Sequence, residues 1–394
     1  AAGRASTCAV QSGKLYCWGK FVTVGTRLFG RPSKGSAPYD PVAMPPSVFG
    51  AFDEPGATVL GVQVPLTSED LGDLDNGSGQ PIASLLERPC VLLRRLGADR
   101  IHCDLQANSS LLGERAVAGL APHNAAFYTF GLQSTTHTLA SAALLYPLVP
   151  TLIGLQTSGE MRRSYVDFAG ASFNTSVHPT AAAPTTRVVR IRSAFGHTCL
   201  STADHRIYCD EYTQSDMAPW FSPPIRRVVG TPYFDFTRDV VAAGDEVLDI
   251  APGDANVCVL LKNQNRERIV CLGRSDKGLT FGNTTSTAIG SLAVSDVASI
   301  HIGGGHACLL STDEKLRCWG FGGNGELGRT LPTGPDYSLV PTEVSISNIV
   351  EVALGSAHTC ARRRNDQIFC WGQNFDGTAT GSMGGSSEPT RVLQ

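Results

Sequence analysis

Short runs of alternating apolar and polar residues, separated by turns, recur along the chain. Clear examples are residues 188–191, 247–250 and 349–354, each of which leads toward a glycine. Alternation over so few residues predicts β-strands. Further along each unit, two apolar runs flank a turn, as they do on either side of residues 312–314, and this is typical of a β-hairpin. The pattern predicts an all-β protein built from a repeated unit.

Twelve cysteines fall in the predicted hairpins as six successive pairs. The pairs are Cys8/Cys17, Cys90/Cys103, Cys199/Cys209, Cys258/Cys271, Cys308/Cys318 and Cys360/Cys370. A hairpin places such partners opposite each other, within the roughly 4.4–6.8 Å between Cα atoms that a disulfide needs. Zinc ligands usually stand two to four residues apart in at least one arm, and the chain has no Cys-x-x-Cys. We therefore favour six hairpin disulfides over a metal site or buried thiols. Disulfides in this number imply an oxidising compartment.

Alignment on the first cysteine of each pair shows the period of the repeat. A glycine stands five residues earlier, a histidine two residues earlier, and a Trp-Gly pair follows the second cysteine. The recurring residues are Gly3, Gly253, Gly303, Gly355; His197, His306, His358; and Trp18, Trp319, Trp371. Each unit then ends in a residue pair such as Leu327-Gly328. About four short strands per unit correspond to one blade of a β-propeller.

A seventh blade without cysteines is predicted between Cys103 and Cys199, because this stretch is too long for one connection. Residues 120–128 match residues 250–258, with Tyr128 and Ser141 in the cysteine positions. We therefore expect one seven-bladed propeller over residues 1–394. The predicted blade cores are 3–30, 84–113, 118–142, 188–212, 247–282, 299–328 and 349–381, with insertions at 31–83, 143–186 and 213–238. Residues 389–394 are expected to close the ring by joining the N-terminal hairpin.

The repeated residues resemble a known family. Gly-x-x-His-Thr-Cys, a hairpin, Cys-Trp-Gly and a Gly-x-Leu-Gly exit are similar to the regulator of chromosome condensation repeat, most clearly over residues 300–381. The resemblance implies a seven-bladed propeller. The family's functions include nucleotide exchange on a nuclear GTPase, ultraviolet perception, receptor-kinase ectodomains and secreted inhibition of β-lactamase. Paired cysteines and only four tryptophans make this chain similar to the extracellular, cysteine-paired members.

The recurring histidines and tryptophans are candidate site residues. The histidines could gather around a central channel as metal ligands, and the tryptophans could stack a sugar or a partner on one rim. Since a residue that repeats with the fold usually serves the fold, we expect each imidazole to bond the backbone of a neighbouring blade. For the same reason we expect each indole to pack between blades.

Other polar candidates are weaker. Arg362, Arg363 and Arg364 form the densest basic cluster and are interpreted as a solvated hairpin face, not a nucleic-acid patch. Asp73, Asp75 and Asn76 suggest calcium only faintly, because no Gly and Glu follow at loop spacing. Four sequons mark Asn76, Asn108, Asn174 and Asn283 as candidate N-glycosylation sites.

Composition narrows the function classes. The net charge is −3, which argues against nucleic acid as a partner. The apolar run 142–155 is interrupted by two prolines and is too short to span a bilayer, so membrane attachment would come from segments not in this chain. No catalytic motif is present, no cysteine is spare as a nucleophile, and no cofactor is expected.

The sequence therefore predicts a secreted or cell-surface, non-enzymatic propeller that binds an extracellular protein or glycan through loop insertions on one rim, or serves as a structural subunit of an extracellular assembly. Two alternatives stay open. One is a guanine-nucleotide exchange factor for a small GTPase, and the other is an enzyme with a site built from loops.

Overall fold

The structure is a computed structural model. It describes residues 1–3, 6–19, 42–43, 58–63, 90–95, 98–103, 114–115, 125–134, 148–156, 161–166, 173–178, 187–194, 197–210, 226–227, 233–275, 277–282, 288–373, 379 and 385–393. Where alternating sequence predicts strands, strands are found. Within this part of the chain they form seven antiparallel sheets that follow one another in sequence.

The first three sheets lie in the N-terminal half of the chain. The first contains β1 (Ser6–Gln11), β2 (Lys14–Gly19) and β3 (Val42–Ala43). The second contains β4 (Thr58–Gln63), β5 (Cys90–Arg95), β6 (Ala98–Cys103) and β7 (Glu114–Arg115). The third contains β8 (Ala125–Ser134), β9 (Leu148–Gln156), β10 (Met161–Val166) and β11 (Phe173–His178).

Four further sheets complete the described strands. The fourth contains β12 (Val188–Ala194), β13 (His197–Thr202), β14 (Ile207–Asp210), β15 (Arg226–Arg227) and β16 (Tyr233–Asp235), and the short helix α1 (Thr237–Val240) follows. The fifth contains β17 (Glu246–Pro252), β18 (Asn256–Asn263), β19 (Arg266–Gly273) and β20 (Ala288–Val294). The sixth contains β21 (Val297–Ile302), β22 (His306–Ser311), β23 (Leu316–Phe321) and β24 (Tyr337–Glu343). The seventh contains β25 (Ile349–Leu354), β26 (His358–Arg363), β27 (Ile368–Gly372) and β28 (Ser386–Leu393).

The hydrophobic core lies between consecutive sheets. One buried cluster joins the fourth sheet to the fifth, a second joins the fifth to the sixth, and a third joins the sixth to the seventh. A fourth cluster packs Trp18 of the first sheet against Ile368 and the Cys360/Cys370 pair of the last sheet. The two ends of the chain are therefore neighbours, as a propeller requires. Ring closure and the number of blades stay predictions, because a closed ring also requires an interface between the second and third sheets.

The C-terminal strand corrects one expectation. Residues 389–394 were expected to pair with the N-terminal hairpin, but β28 pairs with β27 as the outer strand of the last sheet. Thr390 lies opposite Cys370 just as Thr342 lies opposite Cys318 in the sixth sheet. In the first sheet the place beside β1 is taken by Ala1, whose amino group donates to the Cys8 carbonyl over 2.8 Å.

The predicted insertions also contain strands. Residues 31–83 include β3 and β4, residues 143–186 include β9, β10 and β11, and residues 213–238 include β15, β16 and the start of α1. In the third sheet Tyr128 lies opposite Gly154, not opposite Ser141. The reason is that the apolar stretch around residues 148–155 extends as β9 and takes the place beside β8, although its proline content suggests a loop.

Candidate functional site

The cysteine pairs are structural. Five of the six predicted pairs are disulfides with 4.0–4.1 Å between Cα atoms: Cys8–Cys17, Cys199–Cys209, Cys258–Cys271, Cys308–Cys318 and Cys360–Cys370. Cys90 and Cys103 face each other across β5 and β6, and their side chains lie outside the described part. Each disulfide joins two neighbouring strands of one sheet. None of these disulfide-bonded cysteines is therefore available as a nucleophile or a metal ligand.

The repeated histidines connect consecutive sheets. His306 Nε2 lies 2.8 Å from Thr359 Oγ1 in the next sheet, and His358 Nε2 lies 2.8 Å from Thr7 Oγ1 in the first sheet. The partner is a threonine hydroxyl and not the expected backbone group. Burial lowers the pKa of His306 to about 3 and that of His358 to about 4, so both imidazoles are neutral. His197 lies at the start of β13, and its side chain is outside the described residues.

The repeated tryptophans bond to the exit loop of the preceding sheet. Trp319 Nε1 donates to the Leu279 carbonyl over 3.1 Å, and Trp371 Nε1 donates to the Glu326 carbonyl over 2.8 Å. Trp18 Nε1 donates in the same way to the Ala379 carbonyl over 3.3 Å, which connects the first sheet to the last. All three indoles are buried between sheets and are not on a rim. The packing interpretation is therefore the one that the structure supports.

The glycine five residues before each first cysteine permits close approach between sheets. A Cβ on Gly303 would lie 2.5 Å from the Gly355 carbonyl oxygen and equally close to His306 Cε1. Gly355 stands in the same relation to the Gly3 carbonyl and the His358 ring. A side chain here would push consecutive sheets apart, which explains why the sequence repeats glycine.

The arginine cluster is an exposed hairpin with internal ion pairs. Arg362 bonds Glu351 at 3.0 Å and Asp366 at 2.7 Å, and Arg364 pairs with Glu314 of the sixth sheet. Arg363 lies over the Phe369 ring at 4.5 Å. Charges that already have partners in this way fit the predicted solvated face better than a phosphate patch.

The remaining candidates fall mostly outside the described residues. Asn174 lies in β11 opposite Tyr165. Asp73, Asp75 and the other three sequon asparagines (Asn76, Asn108 and Asn283) are not in the described part. The calcium and glycosylation interpretations therefore stay predictions.

A repeated β-bulge, which sequence reasoning missed, organises the first strand of six sheets. The register shifts once in each of β4, β8, β12, β17, β21 and β25. The residue just after the shift is Gly61, Phe127, Arg190, Asp249, Ser299 or Glu351. A bulge changes the direction in which a side chain points. The signal was present in the sequence as a polar third residue in runs such as 188–191 and 247–250.

Polar side chains at the bulges and two positions later form what we call the inner-strand cluster: Arg190, Arg192, Asp249, Ser299, His301 and Glu351. Asp249 is its centre and is only 1% exposed. Its carboxylate accepts from Arg190 at 3.0 Å and from the backbone N–H groups of Ile250 and Ile300, and Arg192 lies 3.7 Å away. A buried carboxylate with these partners connects three sheets.

A serine–histidine contact in the inner-strand cluster could be considered as catalytic chemistry. Ser299 Oγ lies 3.0 Å from His301 Nε2, and burial lowers the pKa of His301 to about 4 although Asp249 opposes the shift. A triad would need a carboxylate bonded to the other ring nitrogen. The Asp249 oxygens instead bind arginine and backbone N–H groups. Across the described residues no group of three metal-ligating side chains is found either.

The described part also contains no helix with the length and apolar character needed to cross a bilayer. The geometry of the repeated residues is thus devoted to joining sheets, and the charges of the inner-strand cluster largely neutralise one another. The polar residues of the inner-strand cluster differ from sheet to sheet, whereas the histidines and tryptophans between the sheets repeat.

Comparisons with known proteins agree with this architecture. The family model "Regulator of chromosome condensation (RCC1) repeat" matches residues 315–362, and a second model of the same repeat matches residues 349–378. Human "E3 ubiquitin-protein ligase HERC2" is 32% identical over 104 residues, which are 25% of this chain and 2% of that protein. "RCC1 domain-containing protein RUG3, mitochondrial" of Arabidopsis thaliana is 29% identical over 136 residues, with 30% of each protein covered. The chain therefore spans a small part of these relatives.

Among solved structures, Prp20p from Saccharomyces cerevisiae is similar over most of the chain. The TM-score is 0.63 at 16% sequence identity, with 98% of this chain and 88% of that chain covered. At this identity the likeness shows the fold alone. A Prp20 chain bound to Kap60 gives a TM-score of 0.61 at 15% identity, covering 99% of this chain and 85% of that chain. Taken with the repeat geometry, these matches show that the chain contains RCC1 repeats over residues 315–378 and has an RCC1-like β-propeller fold.

Proposed function

We propose that this chain is a secreted or ectodomain, non-enzymatic propeller that acts as a rigid module for binding other macromolecules. The observation that carries the proposal is that the repeated cysteines, histidines and tryptophans whose side chains are described are all used to join strands or sheets. Selective binding would then depend on surfaces that do not repeat.

The extracellular part of the proposal rests on the disulfides. Five hairpins each contain one, and in a reducing cytosol such bonds would not persist. The proposed partner is an extracellular protein or a glycan. A structural subunit of an extracellular assembly is a variant of the same proposal, since both use the rigid ring as a platform.

A thiol count tests this proposal. Protein from its native source is treated with an alkylating reagent before lysis, then denatured without reductant and analysed by mass spectrometry. We expect no modified cysteine among the twelve in the chain. Twelve modified cysteines would overturn the proposed compartment.

The exchange-factor alternative has its own readout. Prp20p, which has a similar fold, has binding properties toward Gsp1p and histones. If this chain accelerated release of labelled nucleotide from a small GTPase at micromolar protein, the non-enzymatic binding module would be contradicted. We expect no acceleration.

A further inference from the structure

A pocket of about 550 Å³ lies between the sixth and seventh sheets, away from the inner-strand cluster. One wall is the glycine-rich loop 322–336, which connects β23 to β24. The opposite wall consists of Gln373, Gly385 and Ser387. The volume is in the range that ligand-binding pockets usually have. We call this cavity the loop pocket.

The loop is held in place by its own backbone. Gly322 N–H donates to the Asp336 carbonyl over 2.8 Å, which closes the loop at its base. Gly325, with a φ of +89°, approaches β28 so closely that a Cβ there would lie 2.7 Å from Ser387 Cα. Asn324 donates through its backbone and side chain to the buried Glu326 carboxylate at 2.9 and 2.7 Å. The loop pocket is thus bounded by ordered backbone.

Arg329 is the unusual residue of the loop pocket. The residue lines the cavity, and among the described residues it makes no hydrogen bond and no ion pair; Nη1 in particular is buried without a partner. Desolvation lowers the pKa of Arg329, and no nearby carboxylate opposes the shift. In the same two sheets, carboxylates pair with Arg317, Arg362 and Arg364. Arg363, whose Nε also lacks a hydrogen bond, lies over the Phe369 ring. A half-buried cation without a counterion is unfavourable, and an anionic ligand would offset this cost.

The other polar residues that line the loop pocket indicate which class of anion it would bind. The guanidinium fork matches both carboxylate and phosphate. Recognition of a phosphate dianion usually employs a cluster of arginines, whereas Arg329 is the one cationic residue among the described residues that line the pocket, and Asp336 lies on the same wall. A singly charged carboxylate suits one arginine with an aspartate nearby better than a doubly charged phosphate does. Thr330, Thr333 and Ser387 supply hydroxyl groups for the atoms around it.

The lining also favours a peptide over a sugar ring. Among the described residues no aromatic side chain lines the loop pocket, and Leu331 with two prolines provides its apolar surface. An extended acidic side chain needs no flat platform to stack on. We propose that the loop pocket binds an aspartate or glutamate side chain of a partner protein, with Arg329 as the counterion. This inference rests on the proposed role as a binding module and names the chemistry of its partner.

Binding of two blocked peptides, Ac-Gly-Ser-Glu-Gly-Ser-NH2 and its glutamine twin, tests the assignment. Titrations are followed by NMR shifts of the amide groups in loop 322–336. We expect millimolar affinity for the glutamate peptide and at least about tenfold weaker binding of the glutamine peptide, which corresponds to about 1.4 kcal/mol. The Arg329→Gln variant should abolish this preference, whereas the control Arg364→Gln, which alters an exposed arginine elsewhere on the seventh sheet, should retain it.

Three binding results would overturn the inference. One is equal binding of both peptides by the wild-type protein, and another is an unchanged preference in Arg329→Gln. The third is tighter binding of inorganic phosphate or glucuronic acid than of the glutamate peptide.

Thermal unfolding gives a second readout without ligand, because loss of an unpaired cation should leave the melting temperature unchanged or higher. A lower melting temperature of Arg329→Gln would mean that the residue supports the loop and is not a binding group. The thiol count is independent of all these outcomes.

Discussion

Two interfaces of this propeller join sheets by different chemistry. Between the sixth and seventh sheets the Glu326 carbonyl accepts from both Trp371 Nε1 and Thr359 Oγ1, and His306 bonds the same threonine. Between the fourth and fifth sheets, Asp249 binds Arg190 and lies near Arg192. The first interface uses neutral groups that the repeat supplies. The second uses an ion pair between two bulge residues, Arg190 and Asp249.

The comparison teaches that one geometric requirement can be met in two ways. Both interfaces must satisfy polar groups that are removed from water. Between the sixth and seventh sheets, where the repeat is clearest, neutral donors bond a carbonyl at positions that recur in the repeat. Between the fourth and fifth sheets, where the repeat is weaker, the bulge residue is an aspartate, and arginines of the neighbouring sheet bind it. Substitutions in each interface separate these two solutions.

The largest effect is expected from Trp371→Ala. The indole is fully buried in the core between the sixth and seventh sheets and donates to the Glu326 carbonyl. Removal should lower the free energy of unfolding by about 3–5 kcal/mol. Denaturant titration measures the loss, and the exposed control Val340→Ala should change stability by less than about 0.5 kcal/mol. A loss below about 1 kcal/mol would show that the interface does not depend on the repeated tryptophan.

The ion-pair interface is tested by Arg190→Gln combined with Arg192→Gln. This change leaves the Asp249 carboxylate buried with only backbone partners, and we expect a loss of about 3 kcal/mol. Adding Asp249→Asn should recover part of the loss, because the uncompensated charge is then gone. If the triple variant is less stable than the double variant, the arginines are not the counterions of Asp249.

Acid should weaken the repeat-built interface. His306 and His358 are neutral in the fold, with pKa values lowered to about 3 and about 4, whereas an unfolded histidine titrates near 6.5. The unfolded chain therefore binds more protons between about pH 6.5 and pH 4. In that window the free energy of unfolding should fall as the pH is lowered, by up to about 1.4 kcal/mol per pH unit for each histidine.

Stability curves of the wild type and of His306→Gln with His358→Gln check this slope. Glutamine can still bond the threonine but does not titrate. Between about pH 6.5 and pH 4 the double variant should lose the share of the slope that comes from these two histidines and keep the share of His301, whose pKa burial also lowers to about 4. A slope that is unchanged by the substitutions would assign the effect to other groups.

A smaller effect is expected from Thr359→Val, which keeps the shape of the side chain and removes both of its hydrogen bonds. The loss should be about 1–2 kcal/mol. Thr7→Val makes the matching change between the last and first sheets. Similar losses in free energy of unfolding for the two variants, measured with urea, would indicate that the first and last sheets are joined as strongly as the sixth and seventh sheets are. No loss in Thr7→Val would argue against that join.

The smallest effect is expected from Arg364→Ala. Its ion pair with Glu314 joins the sixth and seventh sheets at the surface, and the arginine side chain is 71% exposed. Exposed pairs contribute little, so the loss should stay below about 1 kcal/mol and should shrink further at high salt. A larger loss in the thermal melt would mean that this surface ion pair contributes substantially to the stability of the interface.

The positions of the repeated residues made much of the fold predictable. The Cys308–Cys318 hairpin could be placed because its turn, its alternation and its two cysteines all agree. The third sheet was harder, since Tyr128 has no cysteine partner to fix the register, and its partner strand had to be found in a proline-containing apolar run. The candidate site was less accessible to prediction. The sequence indicated Asp249 as a strand residue but not the arginines of another sheet that bind it.

The sequence by itself determined the strand pattern, the hairpin partners and the places where glycine is required, because these depend on residues close together in the chain. Only the tertiary structure decided which group each histidine and tryptophan meets. The sequence separation between His358 and Thr7 spans almost the whole chain, and their bond depends on how the first and last sheets pack. The same holds for Arg329, which is an ordinary loop residue in the sequence. Its lack of a counterion becomes visible only when the sixth and seventh sheets enclose the loop pocket.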